Sequence, residues 1–163
     1  MTHRIGQHPS DELFMEDALR EALRAQALGE VPVGAVVVCE GKVIGRGCNR
    51  NLTDADPSAH AEIVALRDAA RHLGNHRLED CTMFVTIEPC PMCAGALVLA
   101  RLARLVYGAD DPKAGAVRSV VGILNHPKLN HKMEVASGVL EGRCAAALKA
   151  FFQKRRQEKK AGA

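Results

Sequence analysis

Residues 82–108 read TMFVTIEPCPMCAGALVLARLARLVYG, and three segments follow one another in them without a spacer. Residues 82–87 form a short β-branched run of strand type. Pro91 suits a first helical position, and the apolar residues behind it predict a helix to about residue 102. Residues 105–108 are a second short strand. A strand, helix, strand unit of this kind joins two parallel strands, so the fold class is α/β, a sheet with helices on both faces.

The flanking sequence fits that unit. Upstream, Val33 to Cys39 and Lys42 to Arg46 are two β-rich runs around Glu40-Gly41, which predicts an antiparallel hairpin. Before it, Ser10 can cap a helix with Asp11 and Glu12 in its first turn, Phe14, Ala18, Ala22 and Ala25 at helical spacing, and Met15 and Leu19 widening the stripe until Gly29. Asp56-Pro57-Ser58 supplies capping residues and a proline ahead of Ile63, Leu66, Ala70 and Leu73, a helix expected from near Ala59 to Gly74. Downstream, 110–132 mixes Gly, Pro, Asn and His with a short apolar patch, and reads as a long functional loop with one helical turn at most. Residues 134–136 form a weak fifth strand, and 141–160 a final helix, apolar at first and basic at its end. The expectation is a mixed five-stranded sheet in one domain, 1–163, with a loose lead-in over 1–9.

Bulk composition narrows the class. The chain has 163 residues, 47% hydrophobic and 25% charged, as ordinary soluble globular domains do. A formal charge of +3 is too small to establish a nucleic-acid partner by itself. Nothing reads as a secretory leader, and two of the six cysteines sit in a metal-type C-x-x-C, so a reducing cytoplasm with free thiols at Cys39, Cys48, Cys81 and Cys144 is expected. Arg101 and Arg104 interrupt the longest apolar candidate, so no membrane span is expected.

Ser58-Ala59-His60-Ala61-Glu62 and Glu88-Pro89-Cys90-Pro91-Met92-Cys93 carry the chemistry. His60, Cys90 and Cys93 offer three zinc donors. Zinc held by three protein groups keeps a fourth position for water and lowers the pKa of that water. Cys90 and Cys93, three apart at a helix start, fall on one face, where exposed amides favour the thiolate. Glu62 is left free to move protons. A C-x-x-C alone is more often a structural knuckle or redox pair, and Glu62 alone a surface helix residue; the two stretches together favour catalysis. A structural site would need a fourth protein donor, and sequence leaves His72, His76, His126, His131 and the other cysteines open for that role. Lys149, Lys154, Arg155, Arg156, Lys159 and Lys160 face only Glu158, and this cationic end could lie against phosphates, although a charge run is usually a solvated face.

H-x-E followed by P-C-x-x-C is the signature of zinc-dependent base deaminases. From Glu30-Val31-Pro32-Val33-Gly34-Ala35 through Asn49-Arg50, His60-Ala61-Glu62, the stretch from Glu88 to Ala96, Gly108-Ala109-Asp110-Asp111 and Phe151-Phe152, the chain closely resembles the bacterial tRNA adenosine deaminases. The resemblance implies a three-layer α/β/α cytidine deaminase-like fold and one Zn2+ per subunit on His60, Cys90 and Cys93, with Glu62 as the proton carrier. It also implies Asn49 as a base contact, Asp111 beside the bound RNA, and a cytoplasmic homodimer in which one subunit helps form the other's RNA site. The implied reaction is adenosine to inosine at wobble position 34 in a tRNA anticodon stem-loop, in tRNA-Arg with anticodon ACG. Cys48 stands where relatives often carry a ring-bearing residue. Two alternatives stay open: a deaminase of free guanine, cytosine or nucleosides, and a zinc-stabilised RNA-binding scaffold that would tolerate loss of Glu62.

Overall fold

A computed structural model of the chain describes residues 7–162, so residues 1–6 of the expected lead-in lie outside the described residues. The elements in chain order are α1 (Asp11–Ala27), β1 (Gly34–Cys39), β2 (Lys42–Cys48), α2 (Ala61–Leu73), β3 (Cys81–Ile87), α3 (Pro91–Leu99), β4 (Arg104–Ala109), β5 (Glu134–Ser137) and α4 (Glu141–Ala161). The sheet order is β2-β1-β3-β4-β5. β1 runs antiparallel to β2 and β3, while β3, β4 and β5 are mutually parallel. The α/β class and the mixed five-stranded sheet expected from the sequence are the ones observed.

Strand alternation sorts the core into two layers. Val36, Val38, Phe84, Val106 and Ala136 face Met15, Ala18 and Leu19 of α1 and Cys144 of α4. Val37, Met83, Val85, Leu105 and Tyr107 face Ala61, Ala65 and Ala69 of α2 and Ala94 and Leu97 of α3. Full burial of Met83 and Leu97 puts the cost of truncating either to alanine at about 2–5 kcal/mol.

The α2 layer sits unusually close to the sheet. A Cβ built at Gly47 would lie 2.3 Å from the Ala61 carbonyl oxygen and 2.5 Å from the Ala65 nitrogen, and one at Gly45 would lie 2.5 Å from the Ala65 carbonyl oxygen. Helix backbone therefore rests on strand backbone, and only glycine fits there.

Several boundaries differ from expectation for physical reasons. Ser10 makes no side-chain cap on α1; Asp11 accepts from the His8 backbone N–H at 2.8 Å instead. Asp11 is also no surface residue for the helix dipole: it is 2% exposed and each of its oxygens takes a 2.8 Å bond from Arg104, a buried cation on β4 that needs a counter-charge. β2 runs two residues past Arg46, because Cys48 pairs with Gly34. α2 starts at Ala61, not near Ala59, since His60 is extended with φ −72° and ψ 153°. The cap expected from Asp56 goes instead to Ser58, two residues on. α3 ends at Leu99, three residues early: Arg101 turns left-handed at φ 58°, and Leu102 folds into the core. The stretch between β4 and β5 contains turns but no helix or strand.

Candidate active site

β3 and the starts of α2 and α3 bring the two sequence stretches together. His60 is the N-cap residue of α2, and Cys90, extended at φ −73° and ψ 173°, is the N-cap residue of α3, with Pro91 opening the helix. Cys93 follows in the first turn. His60 Nδ1 lies 3.5 Å from both the Cys90 and the Cys93 sulfur. Tetrahedral zinc, with Zn–S near ~2.3 Å and Zn–N near ~2.05 Å, would separate such donors by about 3.6 Å, so the three residues fit that ion. Among the described residues no fourth His, Cys, Asp or Glu joins the group.

Electrostatics match the donor set. The hydrogen bond from Cys93 holds the Cys90 thiol down to about 4. Cys93 is pushed far above its ordinary value by that same bond and by burial, and His60 is raised first by its bond with Cys90. Cys90 thus presents a thiolate, the form that binds metal. Glu62 is 3% exposed, and burial lifts its carboxyl to about 7.

These groups floor a cavity of about 280 Å³, near the small end of ligand pockets, whose wall includes Asn49, Asp111, Lys113 and Phe152. All six residues singled out from sequence are brought to it: His60, Glu62, Cys90, Asn49 and Asp111 line the cavity, and Cys93 is buried behind them. Two of them arrive with prior commitments. The Asn49 side-chain carbonyl accepts from the Ala61 N–H at 2.9 Å, capping α2, which leaves the amide NH2 as the group free to meet a ligand. The Asp111 Oδ1 accepts from the backbone N–H groups of Lys113 and Ala114 at 3.0 and 3.2 Å, shaping its own turn.

Sequence reasoning missed two buried carboxylates that hold the cavity walls. Glu30 accepts from the Leu52 and Thr53 backbone N–H groups at 3.1 and 2.7 Å and from the Thr53 hydroxyl at 2.6 Å, fixing the loop after Asn49. Glu88 holds the 111–119 loop in the same way. Burial alone would raise both pKa values, but these hydrogen bonds outweigh it and hold both below the usual carboxylate range. Their partners lie more than twenty residues away, so no local pattern marks them; the one hint is that Glu88 directly follows the apolar strand β3.

The basic end of α4 is exposed, yet not wholly free. Arg155 donates to the Gly29 carbonyl at 2.7 Å and lies 5.1 Å from the Phe151 ring.

A family model for MafB19-like deaminases matches residues 9–156. The tRNA-specific adenosine deaminase of Haemophilus influenzae is 51% identical over 151 residues, covering 92% of this chain and 87% of that one. The chain belongs to the tRNA-specific adenosine deaminase family. A solved structure from work on A-to-I editing by tRNA:A34 deaminases at the wobble position superposes on this deaminase with a TM-score of 0.81 at 48% identity, covering 83% of the chain and 99% of its counterpart. The guanine deaminase of Bacillus subtilis matches this deaminase less fully, with a TM-score of 0.58 and 38% identity over 68% of this chain and 66% of its own.

Proposed function

We propose that this chain hydrolyses the exocyclic C6–N bond of adenosine at position 34 of a tRNA anticodon, leaving inosine, with tRNA-Arg of anticodon ACG as the first substrate to try. The observation that carries the reading is a buried carboxylate, Glu62, beside a three-donor group that no fourth described residue completes. A zinc ion bound by His60, Cys90 and Cys93 would supply Lewis acidity toward a water molecule.

The protein's own groups account for the remaining steps. Glu62, poised near neutrality, takes a proton from the attacking water, hands it to ring nitrogen N1, and then assists protonation of the departing amine. Oxygen is gained at C6 and ammonia leaves. Asn49, with its carbonyl committed to α2, offers its NH2 to an acceptor on the purine edge. Asp111 sits in the wall where neighbouring nucleotides would pass. An anticodon loop suits this cavity because its bases are unpaired and cheap to extrude.

The exposed cations of α4 favour a phosphate backbone over a free base. Assembly as a homodimer is supported by an open apolar cavity on α2 and α3, lined by Ile63, Leu66, Ala96 and Leu99, with Leu99 78% exposed. Among the described residues no helix is long and apolar enough to cross a membrane.

Incubation with total and defined tRNAs, reading inosine by sequencing beside free adenosine and guanine, tests the proposal. Inosine confined to position 34 is expected. Turnover of free guanine with none on tRNA would overturn it.

A further inference from the structure

The loop between β4 and β5 reaches the cavity with no helix or strand over residues 110–133, so its shape has to come from elsewhere. Between residues 111 and 119 one side chain supplies much of it. Glu88 is 1% exposed, and its two oxygens are shared out along the loop. Oε1 accepts from the Asp111 backbone N–H at 3.1 Å and from the Ser119 hydroxyl. Oε2 accepts from the backbone N–H groups of Val117, Arg118 and Ser119 at 3.0, 2.9 and 3.0 Å.

The wrap leaves no slack. A Cβ at Gly115 would lie 2.3 Å from the Glu88 carboxyl carbon and 2.4 Å from each of its oxygens. Next along the chain, the Pro89 carbonyl accepts from the Ala116 N–H at 2.8 Å. Residues 88–90 therefore end in a metal donor and begin in the anchor of the wall that brings Asp111, Lys113 and Ala114 to the cavity. Metal group and wall are tied through two peptide bonds.

We propose that Glu88 is a positioning residue: by holding the 111–119 loop in its substrate-bordering form, it sets how tightly RNA is held without taking part in the proton transfers. The proposal deepens the tRNA deaminase reading and rests on it. A carboxylate is required because every group facing it is a donor. Glutamine has the same size but would turn an NH2 toward those donors, which costs more than the lost bonds alone.

Two variants reach the clamp from opposite sides. Glu88→Gln alters the acceptor, and Gly115→Ala drives a methyl group into it while leaving Glu88 in place. Both are expected to keep zinc content at the wild-type level and to raise KM for an anticodon stem-loop about tenfold or more, with kcat within about threefold. Trypsin adds a readout independent of activity: cleavage after Lys113 and Arg118 should quicken in both variants, with cleavage after Lys42 unchanged. A merely structural role would instead speed cleavage at all three sites and lower kcat and zinc content together.

That uniform pattern overturns the proposal, as does wild-type KM with wild-type protection at Lys113 and Arg118, or failure of both variants to fold. If wild-type protein forms no inosine in RNA, the tRNA reading falls, and the trypsin comparison still decides whether Glu88 holds the loop.

Discussion

Glu62 lies two residues beyond the histidine donor, in the first turn of α2, and is almost wholly enclosed. Glutamine there keeps the shape and the hydrogen bonding but carries no proton. Glu62→Gln should retain metal and RNA affinity while losing about 10²- to 10⁴-fold in single-turnover inosine formation, with zinc analysis and RNA titration as the companions. Asn49 allows a finer separation, because its two ends do different jobs. Asn49→Asp keeps an acceptor for the Ala61 N–H and removes the donor, so stability should hold while KM for RNA rises. Asn49→Ala loses both, and should also cost about 1 kcal/mol in denaturant melts. The grouping of His60, Cys90 and Cys93 beside Glu62 was legible in sequence because their spacing is local to two helix starts. The capping job of Asn49 was not, since the N–H it binds belongs to a residue twelve positions further on.

Among the elements, α4 has the plainest test. It runs twenty-one residues, only Cys144 on it is buried, and its last turns carry the cations. Deletion from Gln153 onward should weaken tRNA binding and flatten its dependence on salt, measured by anisotropy across a sodium chloride series; unchanged affinity and slope would remove α4 from the RNA site. The rest of the helix should still close the α1 face of the sheet, because Cys144 lies upstream of the cut. β3, β4 and the start of α3 could be read from sequence, since β-branched runs and a proline act over a few residues. The early end of α3 could not. It depends on the Ala100 carbonyl accepting from the Leu78 N–H at 2.7 Å and on Leu102 filling the core, both consequences of the assembled sheet. The 110–132 loop was seen as a loop, and what orders it was invisible for the same reason.

For the whole molecule, acid is the informative stress. Asp11, Glu30 and Glu88 are all held below the usual carboxylate range, Asp11 because the bonds and charge of Arg104 outweigh its burial. Groups with depressed folded values bind fewer protons folded than unfolded, so they favour the fold above their unfolded pKa of about 4 and lose that contribution as pH falls through the lower folded values. Urea midpoints should therefore be flat from these groups between pH 7 and 5 and drop below pH 4. An unchanged midpoint at pH 3 would contradict the three assignments. Because Asp11 joins α1 to β4 while Glu30 and Glu88 each join a loop to the cavity rim, protonation should loosen the α1 packing and the rim within one transition.

Gly45 and Gly47 contribute nothing to the cavity, yet they decide how the molecule can change. With no side chain between β2 and α2, the distance from sheet to helix has no adjustable spacer, and that helix begins at its N-cap His60, the proposed metal donor, and carries Glu62, the proposed general base, two residues further in. Selection for another nucleobase would accordingly find latitude in the hydrogen-bonded loops around the mouth, where contacts can be rewritten one at a time. On the edge strand a single added methyl would separate the imidazole from both sulfurs at once, so two positions that line no part of the cavity are among the least free to drift.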